Sequence, residues 1–153
     1  MLHPFLFSIF IVIFIYSHNI FVIPIQEIIF PLLSILGITS VSFIILTRVL
    51  KSARKSGLIV SLYLILFFSF GHIFNIVNDF SISEFDIGRY SYLLILYFII
   101  FVIGTIYLLK TKIELNSITK ITNVVVIALI CVAFVGFFTT SMNSYTSVNE
   151  NVL

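Results

Sequence analysis

Charge is what this sequence has least of. Eight basic and six acidic side chains make up 9% of its 153 residues, against about 25% in a soluble domain. With 61% of the residues hydrophobic, too few polar side chains remain to cover a water-facing surface, which argues against a soluble helical protein. The net charge of +2 is too small and too scattered for a nucleic-acid partner. A single cysteine, Cys131, rules out a disulfide within the chain. No cluster of cysteine and histidine has zinc-site spacing, so neither a metal nor a cofactor is expected. No lysine or arginine precedes the first apolar stretch, MLHPFLFSIFIVIFIY, and no small-residue cleavage pattern follows it. That stretch reads as a retained first span and not as a signal peptide. The phosphate-loop, nucleophile-elbow and HExxH motifs are also missing. Nothing pairs a nucleophile with a base, so an intramembrane enzyme is the least supported class.

What the sequence does have is long apolar runs. In lipid a segment must satisfy its own backbone groups, so such runs read as helices. They fall at about 4–21, 28–47, 57–77, 90–109 and 121–139. Each is near the ~20 residues that cross ~30 Å of hydrocarbon. Pro31 sits in the first turn of the second run, where a missing N–H costs little. The expected fold is all-α: an integral membrane protein with a bundle of about five transmembrane helices over residues 1–140. A short polar external tail is expected over 141–153.

Seven of the eight basic residues lie in two loops. Arg48, Lys51, Arg54 and Lys55 follow the second run, and Lys110, Lys112 and Lys120 follow the fourth. A five-helix path puts both loops on one side, which the positive-inside rule makes cytoplasmic. The N-terminus is then inside and the C-terminus outside, in a multi-pass protein of the cell membrane. Tyr16, Tyr90 and Tyr92 mark the outer interface and Tyr107 the inner one. The first loop is also suited to lipid headgroups, at up to ~1 kcal/mol per basic residue, although its plainer role is as a topology signal.

The third run, LFFSFGHIFNIVN at its outer end, holds polar residues. At ~100° per residue, Ser61, Phe68, His72, Asn75 and Asp79 project within about 60° of arc. Polar groups facing lipid lack partners, so this face is expected to turn into the bundle. His18 and Glu27 lie at a similar depth and are expected to join His72, Asn75 and Asp79 in one cluster. The cluster reads first as interhelical hydrogen bonding, worth ~0.6 kcal/mol per contact. The alternative is a proton-linked or ligand-binding site of a small transporter or lipid-binding protein, with His72 as the titrating group. No span carries an ionisable residue at its midplane, which weighs against a relay. Gly71 reads as a close helix contact, and Ser34, Gly37 and Ser40 as a small-residue strip suited to helix association. His3, beside Pro4, marks the inner end of the first helix. Asp79, Glu84 and Asp86 lack the calcium-loop pattern and read as solvated loop.

Three stretches carry a resemblance: MLHPFLFSIF at the start, SHN at 17–19, and KSGLIVSLYLILFFSFGH at 55–72. They resemble the N-terminal membrane region of sulfatase-like membrane proteins of prokaryotes, in the alkaline phosphatase superfamily. That superfamily includes phosphoglycerol and phosphoethanolamine transferases. The resemblance implies a hydrolase domain outside the cell, after the last helix, with a metal-binding aspartate and a Ser, Thr or formylglycine nucleophile. The sequence ends at Leu153, and none of its residues matches those positions. The expectation is therefore a membrane-anchoring or docking domain with no catalysis on this chain. Its partners would be the lipid bilayer and either a separately encoded sulfatase-like hydrolase or a second copy of itself.

Orientation is directly testable. In intact cells, Ser52→Cys is expected to resist a membrane-impermeant thiol reagent and Glu150→Cys to react with it. The opposite pattern inverts the topology.

Overall fold

The structure, a computed structural model, describes residues 1–78, 90–111 and 115–150, with side chains described over 1–77, 90–111 and 115–140. Its elements are α1 (His3–His18), a 3₁₀ turn (Ile25–Ile28), α2 (Ile29–Leu50), α3 (Ala53–Asn78), α4 (Tyr90–Lys110) and α5 (Leu115–Glu150). No strand occurs among the described residues. Four helical stretches are long and apolar enough to cross a membrane: Ile25–Leu50, Ala53–Val77, Tyr90–Lys110 and Leu115–Thr140. α1 is the fifth apolar helix and is shorter. The chain is an all-α, multi-pass membrane protein.

The helix ends differ from the expected spans in instructive ways. α1 stops at His18 because Ser17, His18 and Asn19 fold back on the last turn. Ser17 Oγ donates to the Phe14 carbonyl at 2.8 Å, and Asn19 Nδ2 donates to that of Ile15 at 2.8 Å. Such side-chain bonds compete with helix continuation. α2 and α3 are longer than their apolar runs, and only Lys51 and Ser52 separate them. Lys51 ends α2 with φ 50°, a left-handed conformation that glycine usually supplies. α5 begins six residues before its apolar run and continues helically through the polar stretch to Glu150.

Pairs of contacting residues define the packing. His3 meets Ser61 and Phe14 meets His72, both at an offset of 58, so α1 and α3 run parallel. Ser8 meets Thr39 and Phe5 meets Phe43, so α2 runs antiparallel to α1. Lys55 reaches Leu109, Tyr63 meets Phe101 and Phe74 meets Tyr90, so α4 runs antiparallel to α3. Phe7 and Ile11 share the core with Val126, and Tyr16 stacks on Phe137, so α5 runs parallel to α1. The path is up–down–up–down–up. Met1 and the Arg48–Lys55 loop lie at one end, together with Lys110 where α4 stops. We call this the basic end. Tyr107 is near it, and Tyr16, Tyr90 and Tyr92 are near the other.

α1 is the hub. It packs on α2, α3 and α5, whereas the main contacts of α4 are with α3 alone. Its buried residues, His3, Pro4, Phe7, Ser8, Ile11 and Val12, recur at helical spacing around its length. At ~1.5 Å per residue α1 is about 24 Å long, short of the ~30 Å hydrocarbon core. Its end at His3 and Pro4 is covered by neighbouring helices, whereas Ile15 and His18 near its other end are exposed. Apolar burial does not bring helices together in lipid, so packing and hydrogen bonds must. His3 Nδ1 lies 2.7 Å from Ser61 Oγ, and Ser8 Oγ lies 2.7 Å from Thr39 Oγ1. All four residues are buried. The Cε1–Nε2 edge of the His3 ring sits against Gly57, where an added Cβ would stand 3.1 Å from Cε1.

This contact predicts a stability effect. Ser61→Ala leaves His3 with both ring nitrogens buried and unpartnered, since its Nε2 already has no partner. The expected cost is about 1–3 kcal/mol in SDS-titration unfolding from detergent micelles. Gly57→Ala displaces the same ring, so the double variant is expected to lose less than the two single losses combined. A Ser61→Ala protein as stable as the parent means that His3 does not anchor α1.

Candidate functional site

The polar face of α3 does not behave as one stripe. Ser61 is buried, and Phe68 packs against the core. His72 and Asn75, further along, are exposed, which corrects the expectation that the whole face turns inward. The reason lies in the packing. α3 and α5 flank α1 but touch each other sparsely, so among the described residues α5 does not close over this face of α3 toward its far end. Among the expected cluster members, His18 and His72 come together around one ring. Phe14 lies 4.4 Å from His18 and 5.7 Å from His72, centroid to centroid. Glu27 is exposed in the 3₁₀ turn. Among the described residues, no hydrogen bond or ring contact joins Glu27 or Asn75 to the histidines. Asp79, Glu84 and Asp86 lie outside the described residues.

The gap between α3 and α5 is a crevice of about 410 Å³. Phe10, Ile11 and Phe14 of α1 form its floor, Phe68 and Ser69 of α3 one wall, and Leu129 of α5 the other. His72 is the one ionisable residue that lines it.

A larger space lies on the opposite side of α3. The cleft between α3 and α4 has a volume of about 850 Å³ and is lined by Tyr63, Phe67, Phe70, Tyr90, Tyr97 and Phe98, among others. Along α3 it extends from Tyr63 to Gly71, about 12 Å of helix. It therefore occupies about one leaflet's depth, in the half of the bundle away from the basic end. Aromatic edges frame it. Phe70 meets Tyr97 at 5.4 Å and Tyr90 at 5.1 Å, both near-perpendicular, and such pairs are worth ~0.5–1.5 kcal/mol each. Tyr97 Oη also lies 3.4 Å from Ser69 Oγ.

Glycines set the width of this cleft, and the sequence reading chose the wrong one. A Cβ on Gly71 would meet nothing within 4 Å, so Gly71 is an opening in the cleft wall and not a close helix contact. The close contact is at Gly104, where a Cβ would stand 2.7 Å from Leu62 Cδ2. α4 approaches α3 there and splays away toward Gly71. Lys55 holds the tight end. Its Nζ donates to the Leu109 carbonyl at 2.6 Å, where the unsatisfied carbonyls of a helix C-terminus attract a cation. Arg48, Lys51 and Arg54 are exposed at the same end. Gly37 of the α2 strip has open space where a Cβ would be, and Ser34 bonds back to the Phe30 carbonyl.

The sequence reading turned Ser61 inward and put His3 at the inner end of α1, but missed the other members of the inner polar set. His3, Ser8, Thr39, Ser56 and Ser61 are all buried toward the basic end. The signal available was weak: isolated serines in α1 and α3 and a threonine in α2, each able to bond its own helix instead. Cys131 is exposed on α5. Among the described residues, no three of His, Cys, Asp and Glu are grouped to hold a metal. No protein-family model, no curated protein and no solved structure matches this chain.

Proposed function

We propose that this chain is a membrane docking module that holds an acyl chain of a bilayer lipid in the α3–α4 cleft. The headgroup is thereby presented at the end of the bundle away from the basic loops. The observation that carries this reading is the cleft itself: about 850 Å³, within the ~300–1,000 Å³ range of ligand sites, lined almost wholly by aromatic and aliphatic side chains. Phe67 and Phe98 line it and are exposed. In a multi-pass protein such a mouth opens toward lipid, and a hydrocarbon chain is what surrounds it. The one-leaflet depth fits a single lipid tail entering from the Tyr90 side.

The resemblance supports the same reading, because residues 55–72 supply one wall of the cleft. On that basis the membrane is the cell membrane, the basic end faces the cytosol, and the lipid is offered to a separately encoded sulfatase-like hydrolase outside. No bond-making step is assigned to this chain.

Gly71 provides the test. A Gly71→Leu side chain projects into open space within the cleft, so stability is expected to be unchanged while the tail is displaced. Native mass spectrometry of the protein, purified in mild detergent, is expected to show one retained phospholipid for the parent. The same is expected of Gly37→Leu, which also fills open space but on α2. Most of the lipid is expected to be lost in Gly71→Leu. Equal retention in all three proteins removes the cleft as the site.

A further inference from the structure

The crevice between α3 and α5 differs from the α3–α4 cleft in two respects: it is about half the volume, and His72 lines its far end. We infer that it binds a free fatty acid, a single unbranched hydrocarbon chain ending in a carboxyl group. This site is independent of the α3–α4 cleft and lies on the other face of α3.

Volume and length select one short chain. About 410 Å³ lies at the low end of the range for ligand sites. The α1 floor from Phe7 to Ile15 is about 12 Å long, slightly less than the ~15 Å of one leaflet's hydrocarbon. The lining from Phe7 up to Phe68 is apolar and suits methylenes.

The end near His72 suits a carboxyl. Phe14, which lines the crevice, makes ring contacts with both His18 and His72. His18 Nδ1 lies 2.9 Å from the Phe14 carbonyl oxygen, and a carbonyl accepts only, so Nδ1 carries the hydrogen. In the neutral ring Nε2 is then an acceptor. His72 makes no hydrogen bond among the described residues, so it has one N–H to donate and one lone pair to offer. That one side chain at the end of an apolar crevice complements a carboxyl group, which both accepts and, when protonated, donates. When ionised, the carboxylate accepts from His72, a charge-assisted bond stronger than a neutral one. A phospholipid tail has no polar group at that depth and would leave His72 without a partner.

The experiment uses the full chain in zwitterionic nanodiscs, with laurate and a photoreactive laurate analogue. Saturable labelling is expected on α1, α3 and α5 around Phe14, Phe68 and Leu129, with competition by laurate. Methyl laurate, which has the same chain without the ionisable head, is expected to compete at least about tenfold more weakly. Loss of one hydrogen bond to a charged group is worth that much. His72→Gln retains one donor and is expected to weaken laurate less than His72→Leu does. Val125→Trp, which fills the crevice from an exposed position on α5, is expected to abolish labelling. Gly71→Leu is expected to leave it unchanged, so failure here and failure of the docking reading are separable. Equal competition by methyl laurate overturns the assignment. So does labelling confined to Tyr63 and Phe98, or labelling that persists in Val125→Trp.

Discussion

Two buried hydrogen bonds between helices set everything else in this bundle: His3 to Ser61, and Ser8 to Thr39. In water, apolar faces drive helices together and register follows from shape. In lipid the surroundings are as apolar as leucine, and that drive is missing. A helix as short and apolar as α1 could slide along α3 by a turn at little cost in dispersion contacts. Polar pairs remove that freedom, because a slip of one turn leaves each hydroxyl and the imidazole without its partner. Once His3 is opposite Ser61, the offset of 58 places Phe14 opposite His72. The outer histidines are thus positioned by contacts at the other end of the same helices.

α3 becomes the wall shared by two spaces, for different reasons on its two faces. Toward α4, Gly104 admits Leu62 closely and Lys55 ties the C-terminal carbonyls, so the helices meet at the basic end. Farther out the contacts are aromatic edges, whose ring centroids are 5–6 Å apart. Large rings hold the helices apart while still attracting each other. Toward α5, α1 intervenes. α5 packs chiefly on α1, and α3 lies against another side of α1; two helices flanking a third leave a furrow between them.

Much of the architecture was legible in the sequence, since hydropathy and length determine spans directly. The spacing of basic residues also gave a path with both basic loops at one end, which the helix directions bear out. The boundaries were less legible. The sequence shows Ser17, His18 and Asn19 as polar, but not that all three turn back on the preceding carbonyls and end α1. The stripe on α3 was right in angle and wrong in environment. A helical wheel states which residues share a face, and says nothing of where along that face a neighbouring helix stops covering it. Glycine was ambiguous for the same reason. Gly71 and Gly104 look alike in a string of apolar residues, yet only one meets a side chain from the facing helix. The buried serines, threonines and His3 were the least visible, because a hydroxyl in a helix can satisfy itself on the carbonyl four residues back.

The two ends of the bundle are therefore built on opposite rules. At the basic end, small and polar side chains (Gly57, Ser56, Ser61 and Gly104) let backbones approach and bond, and a seam of that kind closes without help from lipid. At the far end, phenylalanine and tyrosine replace them and the seams stay open. An open apolar seam costs little in a bilayer, since hydrocarbon fills it at nearly the same energy as protein. The opening is thus cheap to maintain and already lined for a chain molecule. Selectivity at such a seam cannot come from the hydrocarbon, which every lipid offers. It must come from a polar group at the mouth. His72, beside Phe14 in the α3–α5 seam, is the lining side chain best able to distinguish one headgroup from another.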